Sequence, residues 1–152
     1  MNQTAPANPR YAKVFAYLTD HHVLTLAAAH DGDLWCASCF YVFSEEQRSF
    51  FIMTEDSTRH AQLMLAQARI SGTVSDQTAN VAKIRGFQFS ATAHPLNGEE
   101  RSAAKKLYCR RFPIALAAKA PIWRLQIDYG KFTDNTLGFG TKIILDGNTS
   151  DN

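Results

Sequence analysis

The sequence predicts an α+β fold in which consecutive antiparallel strands close into a barrel or sandwich. Three observations carry this. Strand-length apolar runs recur along the chain, joined by short polar turns, as in an antiparallel meander. Helical periodicity is confined to a few stretches between them, which places helices at the periphery. With 152 residues, 45% of them apolar and ten of them Phe, the chain can bury one core without staples. So many antiparallel strands in a row close on themselves to remove their edges.

The elements follow in order. Residues 1–10 are polar and proline-bearing and are expected to be disordered. Residues 11–146 form the single domain, and the polar tail 147–152 is again expected to be disordered. Val14, Phe15 and Leu18 give 11–19 one apolar helical face. Asp20, His21 and His22 lead into a strand over 23–29. Asp31-Gly32 is a strong hairpin signal, and the returning strand covers 34–43. After a charged turn, Phe50, Phe51, Ile52 and Met53 make a third strand. Thr54 to Thr58 break it with small and acidic residues. Ala61, Met64, Leu65 and Ala68 then recur at helical spacing.

A fourth strand covers 70–74 and a long fifth one 81–93, with Phe87 and Phe89 on one face. Asn97 with Glu100 comes close to a capping box. The helix it opens carries Ala103, Leu107 and Tyr108 inward and ends near Arg110-Arg111. A short helical turn within 114–120 is stopped by Pro121. Residues 122–128 alternate well enough for a sixth strand with one buried face. Gly138-Phe139-Gly140 is a flexible turn before a last short strand over 141–145. No internal repeat is present.

A formal charge of +2 and a pI near 8.5 are too weak to predict a nucleic-acid or membrane-surface partner. No charged start with an apolar core marks a secretory leader, and no apolar run reaches bilayer length. Three cysteines in a chain of this size fit a reducing cytoplasm.

Cys36-Ala37-Ser38-Cys39 matches C-x-x-C, but its flanks are strand-like rather than a helix start. On a strand, positions i and i+3 face opposite sides, so buried structural thiols are expected. Arg85 to Thr92 agrees with half of an RNA-recognition motif and lacks its second stacking aromatic. The three-strand meander before it contradicts that module's element order, so RNA binding is not expected. Adjacent His21 and His22 point apart on an extended segment and cannot share a metal without a third partner close by, so a turn role is expected. No G-x-S-x-G, H-E-x-x-H or P-loop is present.

The more informative stretch runs from 50 to 68. Ser57 or Thr58 is the expected N-cap of its helix. Arg59 and His60 follow in the first turn, where the helix dipole disfavours cations. A bound anion reverses that sign. Hydroxyls, free N–H groups and an Arg converging on one point is how a phosphate is held.

This strand–turn–helix, with Thr54 and Ser57-Thr58-Arg59-His60-Ala61, resembles the pyridoxamine 5'-phosphate oxidase-like FMN-binding split barrels. A closer resemblance, to the YhbP-like branch of that superfamily, covers nearly the whole chain. It rests on Trp35 to Tyr41, Thr58 to His60, Ile84 to Phe89 and Lys131 to Lys142. The resemblance implies a six-stranded antiparallel split barrel with peripheral helices, a homodimer, and FMN at the subunit interface. It implies that Thr54, Thr58 and Arg59 meet the flavin phosphate, with Ser57 beside them and His60 where the oxidases carry Lys. Cys39, Phe40 and Tyr41 would lie along the ribityl chain and ring, mainly through backbone groups.

Three positions depart from the oxidase pattern. Ser38 and Phe43 stand where the oxidases have Arg and Lys, and Gly86 where they have a flavin-contacting Gln. The Arg-rich substrate motif near the oxidases' C-terminus is absent. The expected function is therefore a flavin-dependent oxidoreductase of unknown substrate, not a pyridoxamine 5'-phosphate oxidase. The alternative is a non-enzymatic small-ligand-binding module on the same barrel without flavin.

Overall fold

A computed structural model describes residues 9–147. A 3-10 turn (Pro9–Tyr11) leads into α1 (Ala12–Asp20). Then come β1 (Val23–His30), β2 (Asp33–Ser44), β3 (Ser49–Met53), α2 (Arg59–Ala66), β4 (Arg69–Ser75) and β5 (Arg85–Pro95). α3 (Gly98–Arg111), β6 (Ile122–Asp134) and β7 (Lys142–Asp146) complete the fold. The strands run in the order β3-β2-β1-β4-β5-β6-β7, all antiparallel, and β3 pairs again with β6. Six strands thus close into a barrel, and β7 adds to the outer side of β6. This is the α+β fold that the sequence predicts, with the closed six-stranded barrel that the resemblance implies.

Local chemistry sets the first hairpin. Asp31 and Gly32 both take positive φ, 48° and 78°, as a type I′ turn requires. The barrel is filled by aromatic rings. Phe50 lies 4.9 Å from both Tyr41 and Phe89, and Phe87 stacks on Phe89 at 5.8 Å. Two glycines make room for them. A Cβ on Gly72 would sit 2.5 Å from the Phe89 ring, and one on Gly130 would sit 2.2 Å from the Phe87 ring.

α1 covers the barrel with Val14, Phe15, Tyr17 and Leu18. Its last carbonyls have no partner within the helix. The Tyr41 hydroxyl donates to Leu18 O at 2.7 Å. Arg111, from the end of α3, donates to Thr19 O at 2.6 Å and to His21 O at 3.0 Å. α3 itself packs Ala104 and Leu107 against Phe51, Leu96 and Ile122 on the outer side of the barrel.

Several expectations are corrected. Leu65 is 52% exposed, and Leu63 is buried beside Ala61 and Met64. In a helix of eight residues, Leu63 and Leu65 flank Met64 equally, and the position of β1 and β2 beneath decides between them. On α3 the same holds for Ala103, which is exposed, and Ala104, which is buried. Asn97 is the N-cap by position but makes no side-chain cap bond. Residues 81–83 form a 3-10 turn capped by Asn80, whose side chain accepts from Ala82 N at 3.0 Å, so β5 starts only at Arg85. β6 runs on to Asp134 instead of ending at Asp128. The disordered segments expected at 1–8 and 148–152 lie outside the described residues. Pro9 and Arg10 belong to the opening turn, and Gly147 N donates to Asp128 O at 2.9 Å. Among the described residues, no helix is long and apolar enough to cross a membrane.

The close approach at Gly130 gives a test. Gly130→Ala should destabilise the fold by about 1–3 kcal/mol or more, because the Phe87 ring is held on all sides. Gly86→Ala, where the nearest atom lies 3.6 Å away, should stay within about 0.5 kcal/mol. Urea unfolding of both variants measures this; equal effects would refute the packing account.

Candidate functional site

The site is built where β3 ends. Thr54 N donates to Pro121 O at 3.1 Å, which holds the end of β3 to the residue preceding β6. The chain then turns, and Thr58 becomes the N-cap of α2 in extended conformation. Its hydroxyl accepts from Ala61 N at 3.3 Å and donates to Glu55 O at 2.9 Å. Of the two expected caps, Thr58 holds the role, and Ser57 lies exposed one residue earlier.

Three side chains converge at this corner. Thr54 Oγ1 lies 2.8 Å from His60 Nε2 and 3.4 Å from Thr58 Oγ1. Thr58 Oγ1 lies 3.3 Å from the same imidazole nitrogen. Thr54 is buried, and burial pushes the His60 imidazole below its ordinary pKa. At neutral pH the trio is therefore polar but uncharged.

Arg59 points elsewhere. Its Nη2 donates to Asp33 Oδ1 at 2.5 Å, and its guanidinium lies 4.4 Å over the Trp35 ring. The hydrogen bond from Arg59 holds the Asp33 carboxyl below the usual carboxylate range. The positive charge at the start of α2 is thus clasped to the first residue of β2.

Beside Thr54 opens a cleft of about 480 Å³ lined largely by Phe40, Met53, Tyr108, Phe112 and Ile114. That volume is typical of a site for a small organic ligand. Phe40 faces it, edge-on to Phe112 at 5.4 Å and stacked on His22 at 6.0 Å. The Tyr108 hydroxyl donates to Phe40 O at 3.4 Å. Ile114 stands 90% exposed at the mouth. The sequence predicts only structural roles for Tyr108, on the inward face of its helix, and for the helical turn within 114–120. The signal in the latter was Ile114 and Leu116, too few residues to bury in a short turn. Asp33 carried no signal, since nothing at a spacing of 26 residues points to Arg59.

Cys39 and Tyr41 lie inward of Phe40. Cys39 is half-buried against the core, and burial pushes its thiol up to about 11. Tyr41 is fully buried, and its N–H donates to His22 O at 2.9 Å. Ser38 is exposed with its hydroxyl 3.3 Å from Thr25 Oγ1, whereas Phe43 is a core ring. Gly86 belongs to the other end of the barrel. β6 pairs Ile122 with Met53 but Thr133 with Gly86, eleven residues further along (133 − 122).

The expectation of buried cysteines fails for Cys36, which is exposed. β3 pairs with β2 only from Tyr41 onward, so the first half of β2 projects past the barrel. Leu34 (65% exposed), Trp35 and Cys36 lie on this projecting stretch. Among the described residues, no group of three or more metal-ligating side chains occurs.

The corner can do two things chemically. Its hydroxyls, imidazole and first-turn N–H groups suit the oxygens of a phosphate, and the apolar cleft beside it suits a planar ring. That donor set and that cleft suit a ligand that carries both a phosphate and a planar ring, and Arg59, now on Asp33, lies one residue from Thr58 and His60.

Fold and site together define a split-barrel protein. The solved structures agree: a heme binding protein from Mycobacterium smegmatis superposes with a TM-score of 0.73 at 18% identity, over 95% of this chain and 60% of that one. An FAD-binding protein from Mesorhizobium loti gives 0.62 at 19%, over 78% and 91%. A pyridoxinephosphate oxidase family protein from Clostridium acetobutylicum gives 0.65 at 12%, over 91% and 96%. No protein-family profile matches the chain. Curated relatives do. A UPF0306 protein of Serratia proteamaculans is 50% identical over 127 residues, 84% of this chain and 88% of its own. UPF0306 protein YhbP of Escherichia coli O127:H6 is 48% identical over 84% of this chain and 91% of its own. The chain belongs to the UPF0306 family of YhbP proteins.

The lowered His60 pKa gives a prediction. Because the folded protein keeps His60 neutral, protonation favours the unfolded chain. Its contribution is present above the ordinary imidazole value near 6.5 and is lost as pH falls through its lower folded value. The imidazole proton resonances should therefore titrate below about 6.5. Saturating inorganic phosphate should raise that midpoint; a midpoint at or above the ordinary value refutes the burial account.

Proposed function

We propose that this chain is an FMN-binding split-barrel protein that transfers hydride or electrons to a substrate of undetermined identity. One observation carries the reading: Thr54, one member of a hydrogen-bonding trio at a helix start, also lines a largely apolar cleft of about 480 Å³. Thr54, Thr58, His60, Arg59 and the first-turn N–H groups would hold the flavin phosphate, with Ser57 at its edge. Cys39, Phe40 and Tyr41 would lie along the ribityl chain and ring, and Phe112 and Ile114 would shield the ring from water. The bound flavin would supply the redox chemistry; the protein would bind, orient and desolvate it. A relative fold in an FAD-binding protein and in a pyridoxinephosphate oxidase family protein supports the reading.

The same proposal includes a homodimer in the cytoplasm, with no nucleic-acid or membrane partner. The projecting half of β2 supports the dimer: an unpaired edge with exposed Leu34 and Trp35 is a surface that a second copy would cover. A second reading, a non-enzymatic module for another planar ligand, draws support from the low charge of the corner. Asp33 already holds Arg59, and His60 is neutral. The same fold in a heme binding protein fits that reading as well.

An absorption spectrum separates the two. A flavin band in the purified protein, or on adding FMN, supports the first; a colourless protein that ignores FMN supports the second. Arg59→Ala should weaken FMN at least about tenfold, the loss of one charge-assisted bond. Fluorescence quenching of FMN measures it, and an unchanged affinity removes Arg59 from the site. For the dimer, Leu34→Glu should halve the mass seen by sedimentation; a monomeric parent protein would end that part of the proposal.

A further inference from the structure

Two of the sequence blocks singled out above, Ile84 to Phe89 and Lys131 to Lys142, take no part in the Thr54 corner. They meet at the opposite end of the barrel, where β5 begins and β6 ends. There a cleft of about 520 Å³ is lined by Asp76, Gln77, Thr78, Lys83, Arg85 and Thr136. We propose that this cleft is a second binding site, for the phosphate or carboxylate group of a small molecule.

The cleft is held in shape from both walls. Asn135 N donates to Ile84 O at 2.9 Å, and its side-chain amide donates to Val81 O at 2.8 Å. Buried Asp134 accepts from Thr136 N at 2.9 Å and from its hydroxyl at 2.5 Å, which fixes that rim. On the other wall, Asp76 N donates to Arg85 O at 3.4 Å.

Arg85 is fixed by a network that leaves its fork free. Its Nε donates to Asp76 Oδ2 at 3.2 Å, and its guanidinium lies 5.1 Å over the Tyr17 ring. The Tyr17 hydroxyl donates to Arg85 O at 3.3 Å and reaches Asp76 Oδ1 at 3.5 Å, where His21 Nε2 also binds. Both Asp76 oxygens are thus engaged by the protein. Among the described residues, no acceptor meets the two Nη nitrogens of Arg85, and no carboxylate pairs with Lys83. Thr78 Oγ1 accepts from Asn80 N at 3.2 Å, so its hydroxyl hydrogen is available to a ligand.

The donor set is therefore a guanidinium edge, an ammonium, a hydroxyl and an amide. The two carboxylates at this end are already bonded within the protein, Asp76 by Arg85 and His21 and Asp134 by Thr136. The N–H donors left over suit an oxyanion, and the planar edge of Arg85 matches the spacing of two phosphate or carboxylate oxygens. Neutral ligands would leave Lys83 without a counter-charge. The site shares no residue with the Thr54 corner, so it stands or falls separately from the flavin reading.

The test uses the full chain, labelled with nitrogen-15 and titrated at constant ionic strength with inorganic phosphate and, in parallel, with acetate. The amides of Gln77, Thr78, Lys83 and Arg85 should shift together and saturate at one dissociation constant. Phosphate saturating first would name a phosphate ligand, and acetate saturating first a carboxylate. Lys83→Gln, an exposed change that the spectrum can show to be folded, should weaken binding roughly tenfold. Thr58→Ala should leave it unchanged while altering any shifts at the Thr54 corner. Shifts that stay linear with both anions, or a Lys83→Gln affinity equal to the parent's, would overturn the proposal.

Discussion

The short strand β3 is the constraint on which the rest depends. It pairs with β2 through residues 49–52 and with β6 along its whole length. Ser49, Phe50, Phe51 and Ile52 are all buried. A strand paired at both edges and buried on both faces cannot slip, because a one-residue shift would exchange its core and outer faces. Phe50 faces the barrel interior and Phe51 faces α3, so each side chain is specified by a different cluster. Barrel closure therefore fixes where Met53 ends, and through Thr54 N on Pro121 O it fixes where the turn into α2 begins. The corner at Thr54, Thr58 and His60 is positioned by the closing ladder rather than by its own contacts.

How much of this the sequence disclosed depended on whether the deciding contact was local. Asp31-Gly32, the buried faces of α1 and the alternation around Leu125 are local signals, and each produced the element it announced. The continuation of β6 past Asp128 was hidden because Gly130 interrupts the apolar pattern. The glycine is there for the Phe87 ring, a contact made by tertiary packing. The sequence predicts strand over 81–83 only as the lead-in to the strong signal at Ile84, Phe87 and Phe89, whereas Asn80 and Asn135 pin a 3-10 turn there from outside that window. At the site, Thr58 was readable from capping chemistry alone. The hydrogen bonds that join Thr54 to His60 needed the turn geometry, and the partner of Arg59 needed the whole hairpin.

The two ends of the barrel solve opposite electrostatic problems. At the Thr54 end, hydroxyls and a neutral imidazole provide directional hydrogen bonds, and the cation is set to one side. At the far end, Asp76 gathers Tyr17, His21 and Arg85 into one network around a partly buried carboxylate. Burial and the Asp76 carboxylate both push the Tyr17 hydroxyl well above its ordinary pKa, so it stays a donor throughout the physiological range. An uncompensated carboxylate in that position would be costly. Three donors, Tyr17 in α1, His21 at its C-cap and Arg85 in β5, answer that cost and tie the helix to the barrel.

The clasp between Arg59 and Asp33 bears on how the first corner could accept an anion. The pair is about half exposed on both sides, so water screens it and its hold is weak. The Trp35 ring adds a modest attraction for the guanidinium face without using its hydrogen bonds. A dianion at the start of α2 would meet first-turn N–H groups and the helix dipole as well as Arg59, and each bond would be charge-assisted. Such a ligand competes with Asp33 from the stronger position, since Asp33 offers a single charge and one short contact. Without a ligand, the same clasp keeps a cation from facing the positive end of the helix at close range. The carboxylate on β2 therefore lets an arginine occupy the one turn where an unpaired cation is disfavoured, and keeps it within reach of an anion that would reverse that preference.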